Sequence, residues 1–133
     1  MKILLISNIK FLDKLPTIKF NIKKHNAVLP TFQLGKISKY LNKKSIFLKK
    51  DMDLLKECDA LLVANFKNGR INNYIGPSCL MLMGVAYSLD KKIYLLYDIP
   101  NSKYKEEILA LEPICLKGDL KNLRWINLYN TNN

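Results

Sequence analysis

The residues best suited to chemistry in this sequence are carboxylates near predicted strands. Asp51 lies in the only acidic cluster, which also contains Asp53, Glu57 and Asp59. Asp51 and Leu55 are about one helical turn apart, so Asp51 is expected close to the apolar side of a predicted helix. A carboxylate in that position can act as a base or accept a hydrogen bond from a ribose hydroxyl. A solvated acidic helix end is the alternative.

Polar residues also follow three predicted strands at their carboxyl ends, where open α/β sheets bind ligands. These segments are Ser7-Asn8, residues 65–76 and residues 97–100. The middle segment is rich in amide side chains and leads through Gly76 to Ser78, which is placed to cap a predicted helix. Free N–H groups at a helix start favour an anion or a sugar hydroxyl. A plain surface turn is the alternative, because Asn-Gly loops before helices are common.

A hydrophobic content of 49% in 133 residues, with predicted strands that alternate with predicted helices, indicates one α/β domain spanning residues 1–133. No apolar run approaches the roughly 20 residues that span a bilayer, and the opening is too short for a signal peptide. We therefore expect a cytoplasmic protein without membrane association. The three cysteines are expected to be reduced core residues, and His25 is the only histidine. No metal or organic cofactor is indicated.

The positive charge is concentrated in the first part of the chain. Residues 1–50 hold twelve lysines and one acid, whereas residues 51–133 hold equal numbers of basic and acidic residues. One interpretation is a basic face for nucleic acid or phosphorylated ligands. The other is that these lysines only solvate the surface, since they are not interleaved with exposed aromatic residues or arginines.

Apolar runs and helical spacings predict an alternating α/β order. Strands are expected at residues 2–6, 26–29, 59–64 and 92–97 and within Leu123 to Leu128, and helices at residues 45–57, 78–89 and 104–111. Residues 12–24 alternate like a strand, but a right-handed crossover between the first two parallel strands requires a helix there. We predict that helix, and a parallel sheet with helices on both faces.

Residues 73–87, Asn-Tyr-Ile-Gly-Pro-Ser-Cys-Leu-Met-Leu-Met-Gly-Val-Ala-Tyr, resemble the signature of the nucleoside 2-deoxyribosyltransferase-like family. That family carries a Tyr-Ile-Gly element and then a buried helix with Glu-(Ile/Met)-Gly-(Phe/Tyr)-Ala. The resemblance is dense over residues 51–120 and thin over residues 9–50. It implies a flavodoxin-like, doubly wound five-stranded sheet and a homodimer. It also implies a pocket for a deoxynucleoside or its 5′-monophosphate, whose N-glycosidic bond family enzymes cleave.

The family's glutamate nucleophile falls on Leu82 in an alignment without gaps. A leucine cannot attack the anomeric carbon, as the retaining mechanism requires. The resemblance therefore implies a nucleoside- or nucleotide-binding protein with little or no transferase activity. One alternative is hydrolysis in which Asp51 or Asp98 activates water. Another is a nucleic-acid-binding module that uses the lysines of residues 1–50.

The strand ends and the resemblance together give the expected site. Asp51 stands eight residues before Asp59, as a ribose-holding aspartate does in some family enzymes, and Asp98 is a carboxylate at the end of the fourth strand. The sequence leaves open which base and sugar are preferred and whether a 5′-phosphate is required. The expected ligand-binding residues are Ser7, Asn8, Phe11, Asn65, Tyr74, Gly76, Ser78 and Leu82.

Overall fold

The sheet of this protein contains five parallel strands in the order β2-β1-β3-β4-β5. The computed structural model describes residues 1–31 and 44–123. This strand order is that of flavodoxin-like doubly wound sheets and confirms the expected fold class. The strands are β1 (Lys2–Ile6), β2 (Asn26–Val28), β3 (Ala60–Val63), β4 (Lys92–Leu95) and β5 (Ile114–Cys115).

The central strands are apolar on both faces because helices cover both sides of the sheet. Along β1, Ile3 and Leu5 face one core cluster, whereas Leu4 and Ile6 face the other. The register places Ile3 beside Ala60 of β3. This double burial explains why continuous apolar runs mark these strands in the sequence.

The helices lie on the two faces of the sheet, as predicted. A 3₁₀ helix (Ile9–Lys14) and α1 (Leu15–Asn21) cover one face. The other face is covered by α2 (Lys44–Lys56), α3 (Pro77–Ser88) and α4 (Lys105–Ala110). A second 3₁₀ helix, Leu120–Asn122, follows β5. No helix in the described ranges is long and apolar enough to cross a membrane.

The helix expected within residues 12–24 is confirmed, and the exposures of three side chains show why. Ile18 and Ile22 are 6% and 4% exposed, whereas Phe20 between them is 67% exposed. A strand would bury all three on one face, but the helical spacing of four buries only the two isoleucines. Pro16 fits in the first turn, where its missing N–H costs no hydrogen bond.

The fifth strand was missed by the sequence analysis. The structure places β5 at Ile114–Cys115, where Ile114 pairs with Tyr94 and Cys115 with Leu95. Two residues are too few to show a periodic pattern. Most of the strand expected within Leu123 to Leu128 lies outside the described residues, and Leu123 itself follows the second 3₁₀ helix.

Candidate ligand-binding site

A cavity of about 230 Å³ lies at the carboxyl end of β1, and we call it the Asp51 cavity. The strand order reverses between β1 and β3, and ligands of doubly wound sheets bind at such a switch point. Four parts of the chain meet here: the loop after β1, the segment after β2, Asp51 of α2 and the start of α3. The lining residues are Ile6, Ser7, Asn8, Ile9, Leu12, Pro30, Asp51, Gly76, Pro77, Ser78 and Cys79.

Asp51 supplies the carboxylate of this cavity. It is 6% exposed, and its Oδ1 accepts a hydrogen bond of 2.7 Å from the backbone N–H of Thr31. Burial raises the pKa of Asp51, while the backbone and side-chain hydrogen bonds from Thr31 lower it. The net direction is upward, because removal of the charge from water outweighs the two bonds. A buried carboxylate held in this way can accept a ligand hydroxyl or act as a base.

The start of α3 supplies hydrogen-bond donors on the same cavity. Gly76 is the N-cap residue and makes no side-chain capping bond, and Pro77 has no N–H. The amide of Leu80 already donates to the carbonyl of Gly76 at 3.0 Å. The backbone N–H groups of Ser78 and Cys79 therefore lie in the part of the helix without intrahelical partners. Together with the helix dipole, they favour an anion or a hydroxyl oxygen.

Asn8 and Gly76 pack closely at the mouth of the cavity. Asn8 Oδ1 accepts a bond from the backbone N–H of Lys10 at 3.0 Å and so caps the first 3₁₀ helix. A Cβ atom at Gly76 would lie 3.0 Å from Asn8 Nδ2 and 3.4 Å from Tyr74 Cε2. A side chain at position 76 would therefore require the Asn8 amide to give way by a few tenths of an ångström. Ser7 Oγ donates to the carbonyl of Asn8 at 2.9 Å, which fixes its orientation.

Neither Leu82 nor Cys79 offers a nucleophile. Leu82 is 4% exposed, belongs to the core cluster under α2 and α3, and is absent from the lining of the Asp51 cavity. Cys79 does line this cavity, but burial and the nearby charge of Asp51 raise the pKa of its thiol to about 12. At neutral pH this thiol is uncharged and inert.

Asn65 connects the ends of two strands instead of facing the cavity. Its Nδ2 donates to the carbonyl of Asp98 at 2.8 Å and to that of Asn73 at 3.4 Å. Its Oδ1 accepts the backbone N–H of Tyr97 at 2.9 Å. The side chain is fully buried and its two N–H groups are both used. The amide thus holds the loop after β3 against the loop after β4.

Two other expected site residues lie away from the Asp51 cavity. Asp98 is exposed, and its Oδ1 lies 3.6 Å from Lys117 Nζ. Phe11 is buried with its ring centroid 5.6 Å from that of Phe66. The structure therefore does not bring Asp98 or Phe11 together with Asp51.

A larger cavity of about 540 Å³ adjoins the first, and we call it the Tyr74 cavity. It shares Gly76 and Pro77 with the Asp51 cavity, so the start of α3 separates the two. Tyr74, an expected ligand-binding residue, lies here. The other lining residues are mostly apolar: Ile71, Ile75, Leu80, Met81, Pro100, Ser102, Lys103 and Tyr104.

Sequence reasoning missed the contribution of β2. Pro30 lines the Asp51 cavity and Thr31 binds the Asp51 carboxylate. The signal was present, because both residues follow β2 at the carboxyl edge where the other strand ends had been sought. In residues 1–31 and 44–123, no three His, Cys, Asp or Glu side chains cluster closely enough to hold a metal ion.

Comparison with known proteins returns similarity at the level of the fold. No protein-family model matches the chain, and no curated protein matches it significantly in sequence. A solved structure of 2-deoxyribosyltransferase from Bacillus psychrosaccharolyticus is 19% identical, covers 71% of each chain and gives a TM-score of 0.48. The structure of the Clostridium botulinum CMP N-glycosidase BcmB is 15% identical, covers 98% of this chain and 99% of the other, and gives a TM-score of 0.49. At such identities the function of this chain has to be argued from its own residues.

Proposed function

We propose that this protein binds a deoxynucleoside or its 5′-monophosphate in the Asp51 cavity and does not catalyse deoxyribosyl transfer. One observation carries the proposal: a buried carboxylate and an uncapped helix start line the same small cavity. The sequence resemblance to nucleoside 2-deoxyribosyltransferase-like proteins supports the same ligand class.

The chemistry of the cavity suits a sugar phosphate. Asp51 accepts a hydrogen bond from a sugar hydroxyl, and the backbone amides of Ser78 and Cys79 bind a phosphate or the 5′-oxygen. A volume of about 230 Å³ is small for a whole nucleotide. We therefore place the sugar phosphate in the Asp51 cavity and the base towards the Tyr74 cavity, across Gly76.

Leu82 is the reason for proposing binding without transfer. A double displacement requires a carboxylate that forms a bond to the anomeric carbon. The corresponding place holds a leucine in the core, and the neighbouring thiol of Cys79 is uncharged at neutral pH. A leucine there also avoids the cost of burying an unpaired charge, which favours a stable binding protein.

A second candidate function is hydrolysis by water that Asp51 activates. The observation that favours it is the raised pKa of Asp51, because a base with an elevated pKa accepts a proton more readily. Asp98 is a weaker candidate for this role, since its carboxylate is exposed and paired with Lys117. Hydrolysis of this kind inverts the anomeric centre and needs no enzyme-bound intermediate.

Calorimetry and chromatography together test the binding proposal. The four deoxynucleoside 5′-monophosphates and the matching nucleosides are titrated into the protein, and free base is followed after long incubation. We expect binding heat without base release, and about tenfold weaker binding by Asp51→Asn, because a hydrogen bond to a charged acceptor becomes one to a neutral acceptor. Asp53→Asn is the matched control, as Asp53 lies on the same helix but is exposed and paired with Lys49 and Lys56.

The outcomes separate the candidate functions. No heat with any of these compounds overturns the binding proposal. Base release that disappears in Asp51→Asn but persists in Asp53→Asn establishes hydrolysis in its place. Equal weakening by both variants would mean that the effect is one of overall charge and not of the cavity.

Restoring the missing carboxylate is a further test of the pocket. Leu82→Glu is compared with Leu82→Gln, which has a similar size and polarity but cannot attack the anomeric carbon. We expect both variants to be destabilised by about 3 kcal/mol, because a polar group replaces a core leucine. Base release by the glutamate variant alone would show that the pocket still orients a nucleoside for attack.

We also propose that two copies of the chain associate through α3. Met81 and Tyr87 are exposed on this helix although both are large and apolar, and Met81 borders the Tyr74 cavity. The family resemblance implies a homodimer, and a second copy would cover these side chains. Sedimentation analysis is expected to give a dimer that Met81→Lys converts to a monomer, while Lys105→Glu, on the exposed start of α4, serves as a control. A native chain that sediments as a monomer contradicts the proposal.

A further inference from the structure

A third concave region lies at the same edge of the sheet and differs from both cavities. It has a volume of about 300 Å³, and we call it the Lys14 cleft. It shares no residue with the Asp51 cavity or the Tyr74 cavity. The lining residues are Lys14, Phe66, Lys67, Asn72, Asn73 and Tyr97.

Two aromatic rings, Phe66 and Tyr97, line the cleft, and the ammonium group of Lys14 lies over one of them, Phe66. The ring centroids of Phe66 and Tyr97 are 6.1 Å apart in an edge-to-face arrangement. Lys14 Nζ lies 4.8 Å from the centroid of Phe66 and 5.6 Å from that of Phe11. These cation–π contacts fix the ammonium group at the cleft instead of leaving it free in solvent.

Tyr97 is the more accessible of the two rings. It is exposed at 36%, and it is supported from behind because a Cβ atom at Gly118 would lie 3.1 Å from Tyr97 Cε1. Gly118 has a φ of 78°, so both its backbone conformation and the contact with the ring require glycine. The ring is thus held in place with one part open to solvent.

The charges around the cleft are predominantly positive. Lys14 and Lys67 line it, and Lys10 Nζ bonds to Asn68 Oδ1 at 3.2 Å on the adjoining loop. None of the described lining residues is acidic. Asp98 lies next to Tyr97 in the chain, but its charge is paired with Lys117. The whole chain also carries a net charge of +11.

We propose that the Lys14 cleft binds one nucleotide unit of a single-stranded nucleic acid. A base packs against Tyr97, the amides of Asn72 and Asn73 are within the same cleft for its polar edge, and Lys14 and Lys67 contact the phosphates. Aromatic rings beside cations are the usual means of binding single strands without strict sequence preference. This site is separate from the Asp51 cavity, and the proposal does not depend on the function of that cavity.

The test measures fluorescence anisotropy of a labelled deoxythymidine decamer at low and moderate salt. Lys14→Gln/Lys67→Gln is expected to bind at least about tenfold more weakly at low salt and to reduce the salt slope by roughly 1.4, since each phosphate contact contributes about 0.7 for single strands. Lys24→Gln/Lys92→Gln is the matched control, because it removes the same charge at the amino ends of β2 and β4. That control should bind nearly as the native chain does.

Tyr97 gives a second, independent measurement. Tyr97→Leu is expected to weaken decamer binding about tenfold, whereas Tyr97→Phe keeps the ring and should leave the affinity unchanged. Unfolding curves of both variants verify that the fold is intact. A decamer that does not bind at low salt, or one that both lysine pairs weaken equally, overturns the proposal.

The source of the nucleotide is resolved in the Asp51→Asn background, where the first cavity is weakened. Displacement of the decamer by free thymidine monophosphate only at far higher concentrations assigns the cleft to a strand. Displacement at equal nucleotide concentrations contradicts a strand and assigns the cleft to a free nucleotide. Deoxyribose 5-phosphate, which lacks a base, should not displace the decamer.

Discussion

The Asp51 cavity and the Lys14 cleft lie at the same edge of one sheet, yet they have opposite electrostatic character. The cavity contains a buried carboxylate beside the face covered by α2 and α3. The cleft contains two lysines beside Phe66, which packs on the face covered by α1. One region is enclosed and fixed by backbone hydrogen bonds, whereas the other is open and fixed by ring contacts.

The two regions differ although one loop, the connection that follows β3, contributes residues to both. The loop after β3 carries both the start of α3 at Gly76, on the cavity, and Phe66 with Asn72, on the cleft. A single loop therefore contributes to the Asp51 cavity at one end and to the Lys14 cleft at the other. The side chain that keeps this loop in place is Asn65, so a substitution there should disturb both regions.

Among the substitutions that compare the cavity with the cleft, Asn65→Ala is expected to have the largest effect and to change both regions. It leaves the backbone N–H of Tyr97 and the carbonyls of Asp98 and Asn73 without their partner. Buried groups without partners cost about 1–3 kcal/mol each, so the free energy of unfolding should fall by about 3 kcal/mol. Urea denaturation measures this change.

Asn68→Ala is the control in the same loop. Asn68 Oδ1 makes an exposed bond of 3.2 Å with Lys10 Nζ, and the loss should be below about 1 kcal/mol. Equal losses for the two variants would contradict the view that Asn65 is the structural link between the loops.

Gly76→Ala should separate the two regions with a smaller effect. The added Cβ would lie 3.0 Å from Asn8 Nδ2, so the Asn8 amide at the mouth of the cavity has to shift. We expect binding of deoxynucleoside monophosphates to weaken about fivefold, the value of one hydrogen bond, while decamer binding stays unchanged. Calorimetry and anisotropy on the same preparation measure the two affinities.

Gly84→Ala is the matched substitution within α3. Apart from its chain neighbours and the backbone of its own helix, no atom lies within 4 Å of the Cβ position at Gly84, and alanine is the better helix former. Its free energy of unfolding should rise by about 0.5–1 kcal/mol, with neither affinity changed. Loss of stability at both glycines would mean that α3 tolerates no added methyl group.

The sequence predicted the larger elements of the fold because their patterns are long. The continuous apolar runs of β1, β3 and β4 follow from double burial, whereas the almost wholly apolar helix α3 leaves Met81 and Tyr87 exposed. The two-residue strand Ile114–Cys115 has no comparable pattern, because it is defined only by pairing with β4. The topology of the sheet could still be predicted, because it follows from the order of the elements and the handedness of the crossovers and not from such short strands.

The Asp51 cavity could be predicted only in part, because the sequence gives the position of a polar residue but not the direction of its side chain. The rule that ligands bind at the carboxyl ends of strands places Ser7, Asn8, Gly76 and Ser78 at one edge, and the structure puts all four on the Asp51 cavity with Asp51. The rule cannot tell which way a polar side chain turns. Asn65 stands at a strand end as well, but its bonds are directed to the backbone of neighbouring loops.

The Lys14 cleft was harder to predict from the sequence because its residues are distant from one another in the chain. Lys14 precedes Phe66 by more than fifty residues, and Tyr97 follows after thirty more. Lys14 lies between Asp13 and Leu15 in the sequence, and only the packing of the first 3₁₀ helix against the loop after β3 brings it to Phe66 and so beside Tyr97. Lysine and aromatic side chains can therefore lie together in the folded protein without alternating along the sequence.

The smallest expected effect is on the pH dependence of the free energy of unfolding, and it tests whether the Asp51 carboxylate is buried in the folded chain. Burial raises the pKa of Asp51 in the folded chain above its value in the unfolded chain. Between these two values the folded chain binds more protons, so the free energy of unfolding falls as pH rises. Asp51→Asn removes this titration and keeps an oxygen that accepts from Thr31. The stability of the variant relative to the native chain should therefore increase as pH rises above the ordinary pKa of an aspartate, about 4.

Asp53→Asn should show the opposite sign. The hydrogen bond from Lys49 lowers the pKa of Asp53, so its contribution is present at neutral pH and is lost as pH falls through the lowered value. The Asp53 variant should thus be slightly less stable than the native chain at neutral pH, and this difference should vanish in acid. Denaturation series at several pH values compare the two variants. If the Asp51 difference does not change with pH, the carboxylate is not desolvated in the folded chain, and the cavity loses the buried charge that distinguishes it from the cleft.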